Sequence, residues 1–432
     1  MAPKRDIVIT GVGVVSPIGI GKDPFWAALC EGRSGIRRLD LFDDPSLSAP
    51  IGGQVADFDA KQYVRPRKSL KVMSRDIQLA IAAADLACAD AGLRDRPIAP
   101  ERLGVIFGAA MIPGELDELV GTYRSCLLDG RFDFRRWGPS AMADLFPLWM
   151  LKYLPNMPAC HVGIGQDARG PSNSITMGDV SSLSALAEAT RILERGQTDA
   201  MIAGGVGAGL HPVIWARGDL RGLSRRLDNP AAASRPFDAE RDGVVNSEGA
   251  AALLCETQAH ASARGAPILA RILGCAAAFE PGNLRTFCRD ATAARRDGVI
   301  RRALAGALHD AGLTAAELGC VVAHGTSAVE DDRLEAQAIR AVLGDVPVTA
   351  PKGNFGYSGA GSGALEAAVC VLTVQHKLVP HTLNFEHPDP QCPVNVVHGR
   401  PHKLDRPTAL VLSHSPYGQA VAVVLAAAID HP

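Results

Sequence analysis

The 432-residue chain is 47% hydrophobic and carries 44 basic against 46 acidic residues, a net charge of −2. That length allows a large core of two or more domain-sized units, and the balanced charge argues against nucleic-acid or anionic-membrane binding. The longest apolar run, Ala420 to Ile429, falls short of the roughly 18 residues of a membrane span. The N-terminus is too strand-like for a signal peptide. Ten cysteines without CxxC or His spacing predict reduced thiols, no metal site and a cytoplasmic protein.

Short β-branched runs alternate with alanine-rich helical stretches along the chain. In the first half, "DIVITGVGVV", "RLGVIFGAA", "DAMIAGGVGAG" and "GAAALLCE" predict buried strands, and "SRDIQLAIAAADLACADAGL" predicts a helix ended by Gly92. In the second half, "CVVAHGTSA", "VPVTAPKGN", "ALVLSHSPYG" and "AVAVVLAAA" predict strands between the helices "VIRRALAGALHDAGL" and "GALEAAVCVLTVQHK". This alternation indicates an α/β protein built in layers.

The two halves echo each other weakly. "LACADAGL" in the first half matches "GALHDAGL" in the second, and each is followed by a strand and a glycine-rich turn. Such an echo predicts two similar halves packed as one unit. We place the seam in "TQAHASARGAPILARILG", which gives an N-terminal half of residues 1–262 and a C-terminal half of residues 263–432.

The segment "NSITMGDVSSLSALAEA" places Asp179 at a turn that feeds a helix. Leu183, Leu186 and Leu193 recur at helical spacing, and Gly196 follows the last turn. Aspartate is a preferred residue at a helix N-terminus, so we expect Asp179 to cap a buried helix that starts at Val180, and a purely structural cap is the commoner explanation for such a residue. A carboxylate at a sharp strand-to-helix turn can instead be a catalyst or the replacement of one.

The whole chain resembles the β-ketoacyl-acyl carrier protein synthases of the thiolase fold. "GPSNSITMGDVSSLSALAEATRILERGQTDAMIAGG" follows their nucleophile segment, and "DNPAAASRPFDAERDGVVNSEGAAALL" follows their central segment. "AHGTSAVEDDRLEAQAI" and "PKGNFGYSGAGSGALEAA" follow the segments that carry the two active-site histidines. The resemblance implies a five-layered α-β-α-β-α fold with two mixed sheets around a buried helix layer.

The same resemblance assigns roles to individual residues. Asp179 falls on the nucleophilic cysteine, His324 on the first active-site histidine, and Tyr357 on the second. The remaining assignments are the supporting residues Asp332, Glu335, Lys352 and Glu366, the acyl-pocket or gate residues Met111, Ile112 and Tyr417, and the carrier-arm residues Thr326 and Ser327. We expect Asp179, His324 and Tyr357 to share one pocket, with a buried Lys352–Glu335 ion pair behind them.

Two of the three catalytic positions are therefore altered. Attack by a carboxylate on a thioester would give a mixed anhydride, which hydrolyses or reverts, whereas a thiolate gives another thioester. Tyr357 can donate a hydrogen bond but is no equivalent of an imidazole. Cys160, in the predicted strand "NMPACHVGI", is the alternative nucleophile, and a small buried residue explains it better. We expect Asp179→Cys to regain a reactive thiolate at the helix start.

Three functional hypotheses follow from the resemblance. The first is a non-condensing, chain-length-factor-like partner of an active, cysteine-bearing ketosynthase in fatty acid or polyketide biosynthesis. The second is an enzyme with altered acyl-thioester chemistry, a decarboxylase, hydrolase or acyltransferase, and the third is an ordinary condensing synthase. The resemblance implies an acyl carrier protein as partner, a homo- or heterodimer that buries the Met111 segment and "NMPACHVGI", and no cofactor beyond the phosphopantetheine arm or CoA that carries the acyl group.

Overall fold

The computed structural model describes residues 6–40, 50–217, 221–280 and 297–428. The strands, in chain order, are β1 Ile7–Ser16, β2 Gly19–Ile20, β3 Ile36–Arg38, β4 Ile51–Gly53, β5 Leu103–Gly108, β6 Leu127–Leu128, β7 Arg131–Phe132, β8 Ser172–Ile175, β9 Ala200–Ala208, β10 Glu248–Thr257, β11 Ala270–Phe279, β12 Cys320–Val322, β13 Pro347–Thr349, β14 Leu378–Val379, β15 Asn395–Val396, β16 His402–Lys403, β17 Thr408–Ser415 and β18 Gln419–Ala427.

The α-helices interleave with these strands. In chain order they are α1 Lys22–Cys30, α2 Arg75–Asp90, α3 Leu116–Ser125, α4 Trp137–Asp144, α5 Met150–Tyr153, α6 Met157–Gly165, α7 Ser181–Glu194, α8 Pro212–Arg217, α9 Gln258–Ala263, α10 Asp297–Ala311, α11 Val329–Leu343, α12 Lys352–Phe355 and α13 Ser362–His376. The helix predicted before Gly92 is α2, and Gly92 itself adopts a positive φ of 70° just past its C-terminus.

The two halves repeat one strand arrangement. In the first half the order is β8–β5–β9–β10–β1, and in the second it is β13–β12–β17–β18–β11. In both sets the first two pairings are parallel and the last two are antiparallel. A three-residue pairing of β1 with β11 connects the two mixed sheets that the resemblance predicts into one continuous sheet path.

Helices lie between and outside these two sets of strands. α7 and α13 contact strands of both halves and each other, so they form the middle layer. α2 and α6 cover the outer face of the first half. α10 packs on the outer face of the second half, and α11 packs against α10. Three apolar clusters fill the spaces between these layers, one central and one under each outer face. The arrangement is the five-layered thiolase-like fold that the sequence predicts.

The middle layer requires very close approach of helix to strand. A Cβ atom on Gly205 of β9 would collide with the Ser182 hydroxyl on α7, so only glycine lets the helix pack there. The residues around Ser182 are consequently buried, and the first turn of α7 lies at the centre of the molecule.

One predicted strand is a helix in the structure. "NMPACHVGI" forms α6, because the chain between α5 and β8 packs as a helix on α2. The nine cysteines of the described ranges form no disulfide bond with one another, and the tenth, Cys288, lies outside these ranges. Within the described ranges, no helix is long and apolar enough to cross a bilayer.

Candidate functional site

Asp179 lies in a sharp turn between β8 and α7. Gly178 has a positive φ of 62°, and residues Gly178–Val180 form a single 3₁₀ turn that leads into the helix. The prediction that Asp179 caps a helix beginning at Val180 is wrong, because α7 begins at Ser181 and the carboxylate binds other side chains instead of the helix end. The hydroxyl of Ser181 accepts a hydrogen bond from the Met177 amide at 2.9 Å.

Both oxygens of the Asp179 carboxylate are engaged. Tyr357 donates its hydroxyl proton to Oδ1, and Nη1 of Arg221 donates to Oδ2 at 3.1 Å. Arg221 also donates from Nη2 to the Tyr357 hydroxyl at 2.6 Å, and its guanidinium carbon lies 4.3 Å from the Tyr357 ring centroid. The three side chains thus form a closed triangle of hydrogen bonds, which we call the Asp179 triad.

Arg221 reaches this triad almost fully buried. Its side chain is 7% exposed and that of Asp179 is 5% exposed. Nε of Arg221 also lies 3.9 Å from Oδ2 of Asp331, at the start of α11. A buried carboxylate is costly unless it is paired and hydrogen-bonded, so Arg221 is what allows an aspartate at this position.

His324 lies on the other side of the site, fully buried after β12. The ammonium of Lys352 lies 3.1 Å from Nδ1 and donates to the His324 carbonyl at 2.5 Å. Burial, and then the positive charges of Lys352, His414 and Arg221, hold the pKa of His324 well below its usual value. His324 is therefore a neutral imidazole, and the influence of Arg221 shows that it lies within electrostatic range of the Asp179 triad.

The neighbours of His324 also fix its tautomer. An ammonium only donates, so Nδ1 must accept and the ring proton resides on Nε2. Nε2 is buried without a hydrogen-bond partner among the described residues. The site therefore retains one buried, unused N–H donor, the kind of group that can stabilise an oxyanion.

The ion pair predicted between Lys352 and Glu335 is not formed. Lys352 pairs with Glu366 instead, and the two side chains are 1% and 0% exposed. Burial raises the pKa of Glu366 to about 8, against the lowering effect of Lys352. Glu335 accepts hydrogen bonds from the amides of His324 at 2.6 Å and Gly325 at 2.8 Å, so it holds the loop that carries His324.

Asp332 supports the same loop from α11. Its carboxylate accepts from the amides of Thr326 at 2.8 Å and Phe237 at 2.9 Å. Burial raises its pKa to about 7, although these hydrogen bonds act in the opposite direction. Thr326 and Ser327 are themselves buried, and the Ser327 hydroxyl accepts from the Arg235 amide at 3.0 Å. Carrier-arm binding by Thr326 and Ser327 stays a prediction.

His414 is a site residue that the sequence analysis missed. Its ring centroid lies 4.9 Å from that of His324, edge to face, and Nε2 lies 3.6 Å from Oε2 of Glu335. Burial disfavours its protonation, but Glu335, Asp331 and Asp179 outweigh burial and raise the pKa of His414. Tyr417, the residue singled out in this segment, lies 39% exposed in the turn between β17 and β18.

Arg221 was also missed by the sequence analysis. It lies 42 residues after Asp179, in a segment with several other arginines, and nothing in the sequence distinguishes it. The negative charge of Asp179 was a usable signal that some cation lies near it, because a buried aspartate requires a positively charged partner.

One cavity adjoins the site, and a second cavity lies beside the first. One of about 200 Å³ touches Tyr357, Ser358, Met111 and Asp76, and a neighbouring one of about 350 Å³ touches Ile112 and shares Asp76. Met111 is 74% exposed, while Ile112 is buried. Their acyl-pocket role stays a prediction: Met111 lines the cavity that touches Tyr357, whereas Ile112 lines the neighbouring one.

Cys160 is not part of this site. It lies on α6 and packs against the outer apolar cluster of the first half, with its sulfur 3.7 Å from the Asn156 side-chain amide. Within the described ranges, no three His, Cys, Asp or Glu side chains are grouped as metal ligands.

Comparison with known proteins identifies the family. The β-ketoacyl synthase N-terminal domain matches residues 4–261, and the C-terminal domain matches residues 269–386. The 3-oxoacyl-[acyl-carrier-protein] synthase 2 of Synechocystis sp. is 34% identical over 406 residues, which are 93% of each chain.

Solved structures agree with this match. The ishigamide ketosynthase/chain length factor superposes with a TM-score of 0.83 at 26% identity, covering 99% of this chain and 100% of that one. A type II polyketide synthase ketosynthase, in complex with its acyl-carrier protein and bound to the hexaketide, superposes with a TM-score of 0.83 at 28% identity and the same coverage. This chain therefore belongs to the β-ketoacyl synthase family.

Proposed function

We propose that the protein is a non-condensing, chain-length-factor-like partner of an active ketosynthase in fatty acid or polyketide biosynthesis. One observation carries the proposal: the position of the nucleophile holds a carboxylate whose two oxygens are occupied by Tyr357 and Arg221. A condensing enzyme needs a free nucleophile there, and this one is neither a thiolate nor free.

The chemistry of the triad supports a lost condensation activity. The acyl-transfer step would require Asp179 to give up its hydrogen bonds and form an anhydride less stable than the thioester it came from. The decarboxylation step would require a second imidazole, and Tyr357 at that position is already bonded to Asp179 and Arg221. The family scaffold persists around a centre that is poorly suited to either step.

We propose that the partner binds the first half of the molecule, which also carries Asp179. β8 ends the described sheet path, and its first two residues are exposed. The segment before it carries large apolar side chains in water, including Met111, Leu128, Phe134, Met142, Met150 and Ile164. A monomer seldom exposes so many, so we propose that a cysteine-bearing ketosynthase covers them and that a second copy is the alternative occupant.

The solved relatives support such an assembly. One is described as a ketosynthase/chain length factor, and another is a ketosynthase in complex with its acyl-carrier protein. By analogy, the acyl chain would be attached to an acyl carrier protein and to the cysteine of the partner. This chain would then shape the channel from its side of the interface.

The proposal is tested by co-expression with a cysteine-bearing ketosynthase from the same genome. We expect a stable complex by affinity capture and sedimentation, and no acyl adduct on this chain by intact-protein mass spectrometry with acyl-carrier or acyl-CoA donors. Met111→Ser should weaken the complex, whereas Val329→Ser, at another exposed apolar position on α11, should leave it unchanged. Stable acylation of the unmodified chain would refute the proposal.

One observation favours altered catalysis as a second candidate. The Nε2–H of neutral His324 is buried and unused, so it could still hold the enolate oxygen formed when a malonyl thioester loses CO₂. Malonyl-carrier decarboxylation by the isolated chain, abolished in His324→Ala, would support this function. No decarboxylation above the His324→Ala level would exclude it.

A further inference from the structure

We infer that Arg221 blocks the reaction site, because its guanidinium occupies the place where a carrier-bound thioester would have to lie. The inference rests on the proposed function and deepens it. The site would be inactive for two reasons, the absent thiol and the arginine that fills the space in front of it.

The distances carry the first step. Nη1 of Arg221 is 3.1 Å from the Asp179 carboxylate, and Nη2 is 2.6 Å from the Tyr357 hydroxyl. A reacting carbonyl must come within about 3–3.5 Å of the nucleophile. The guanidinium lies within that distance of the nucleophile position and also contacts the residue at the second histidine position. A thioester and this guanidinium cannot occupy that space together.

The second step concerns what holds the arginine in place. Asp179 is one partner, but the guanidinium also stacks on the Tyr357 ring at 4.3 Å and lies 3.9 Å from Asp331. The Tyr357 and Asp331 contacts come from the second half of the chain and do not depend on Asp179. Asp179→Cys alone would therefore leave Arg221 in the site, so the reactive thiolate expected from this change would still be closed to acyl donors.

The third step concerns charge. A guanidinium beside a thiol stabilises the thiolate and lowers its pKa. With Arg221 present, a cysteine at position 179 should be ionised at low pH yet closed to bulky acyl donors. Removal of Arg221 should reverse both properties, which a merely structural arginine would not do.

The experiment compares three variants of the full chain: Asp179→Cys, Asp179→Cys with Arg221→Ala, and Asp179→Cys with Arg225→Ala. Arg225 is an exposed cation of the same segment and serves as the matched control. Acyl-CoA is the donor: the sulfur of the introduced cysteine attacks the thioester carbonyl, the new C–S bond forms, the donor C–S bond breaks, and the released CoA thiolate takes a proton from water. Intact-protein mass spectrometry follows the adduct.

We expect removal of Arg221 to accelerate acylation by about 100-fold, the scale of an obstruction to a near-attack geometry. The Arg225→Ala control should acylate as slowly as Asp179→Cys alone. In parallel, iodoacetamide labelling of the peptide that contains residue 179 reports thiolate formation with a small reagent. Its pH midpoint should be lower with Arg221 present than absent, and circular dichroism checks that each variant is folded.

Two results would overturn the inference. One is equal acylation of the single and double variants while the thiol of both is labelled. The other is a labelling midpoint unaffected by Arg221. Neither result touches the proposed function, which fails separately if the unmodified chain is acylated or forms no complex with a ketosynthase.

Discussion

The two sides of the site differ in how completely their polar groups are satisfied. On the Asp179 side, the buried carboxylate, Arg221 and the half-buried Tyr357 hydrogen-bond one another, and both carboxylate oxygens are used. On the His324 side, Lys352 and Glu366 fix a neutral imidazole whose Nε2 remains without a partner in the described parts of the chain. The first side resembles a structural core, whereas the second still resembles a catalytic one.

The contrast separates a carboxylate that is bound by two side chains from an imidazole that keeps one donor unpaired. Arg221 and Tyr357 bind the Asp179 carboxylate. If this interpretation is correct, variants on the two sides should differ in stability, coupling and pH dependence.

Lys352→Met should have the largest effect on stability. Above pH about 8, where Glu366 is ionised, it leaves a buried carboxylate without its cation, and breaking such a pair costs about 3–5 kcal/mol. Chemical denaturation measures the loss in unfolding free energy. Arg94→Met, which removes an exposed pair with Asp85, is the control and should cost less than about 1 kcal/mol. Equal losses would mean that the His324 side is not held by this pair.

Arg221→Ala should destabilise the Asp179 side by about 3 kcal/mol, because it removes the cation from a buried carboxylate. Asp179→Asn removes the negative charge that Arg221 neutralises. The double variant should therefore lose less unfolding free energy than the two single variants lose together. A double-mutant cycle by denaturation provides the test. Additive losses would contradict a mutually dependent triad.

Tyr357→Phe should cost about 1–3 kcal/mol, the usual effect of leaving a buried acceptor short of one donor. The ring that supports the Arg221 guanidinium remains, so this variant isolates the hydroxyl. Thermal denaturation of Tyr357→Phe and Arg221→Ala, measured side by side, compares the stability losses of the two variants. A larger loss for Tyr357→Phe than for Arg221→Ala would reverse our ranking of the two partners.

The two histidines should show opposite pH trends of smaller size. The pKa of His414 is raised in the folded protein, so protonation of His414 stabilises the fold fully below pH about 6.5, the pKa of an unfolded histidine. This stabilisation is lost as the pH rises through the higher pKa that His414 has in the folded state. The pKa of His324 is lowered in the folded protein, so its contribution to the free energy of unfolding is present above about pH 6.5 and is lost as the pH falls. The cost of His414→Gln should therefore shrink with rising pH, and that of His324→Gln should grow. Parallel trends in denaturation series would disprove the assignment.

The fold could be predicted well from the sequence because its signals are local. The helical periodicity of Arg75–Asp90 and the β-branched composition of the fully buried run Ile7–Ser16 each report the conformation of that segment. The failure at Met157–Gly165 has the same origin, since a short apolar run with no clear period fits either a helix or a strand.

The site was predicted only in part because its contacts are not local. His324, Tyr357 and Asp179 could be located from family motifs, but the side chains that control their charge could not. Arg221 and His414 reach the site from segments 42 and 90 residues away from the groups that they contact. Ion pairing at that separation depends on the folded geometry, which also explains why Glu366, rather than Glu335, pairs with Lys352.

The edge strand β8 has a consequence for the cell that makes this protein. It ends the described sheet path and its first two residues are exposed, and an open strand edge is a place where further strands can add to form aggregates. A chain synthesised in excess over whatever covers that edge would be prone to precipitation. On the proposed pairing with a ketosynthase, balanced production of the two chains would limit that precipitation.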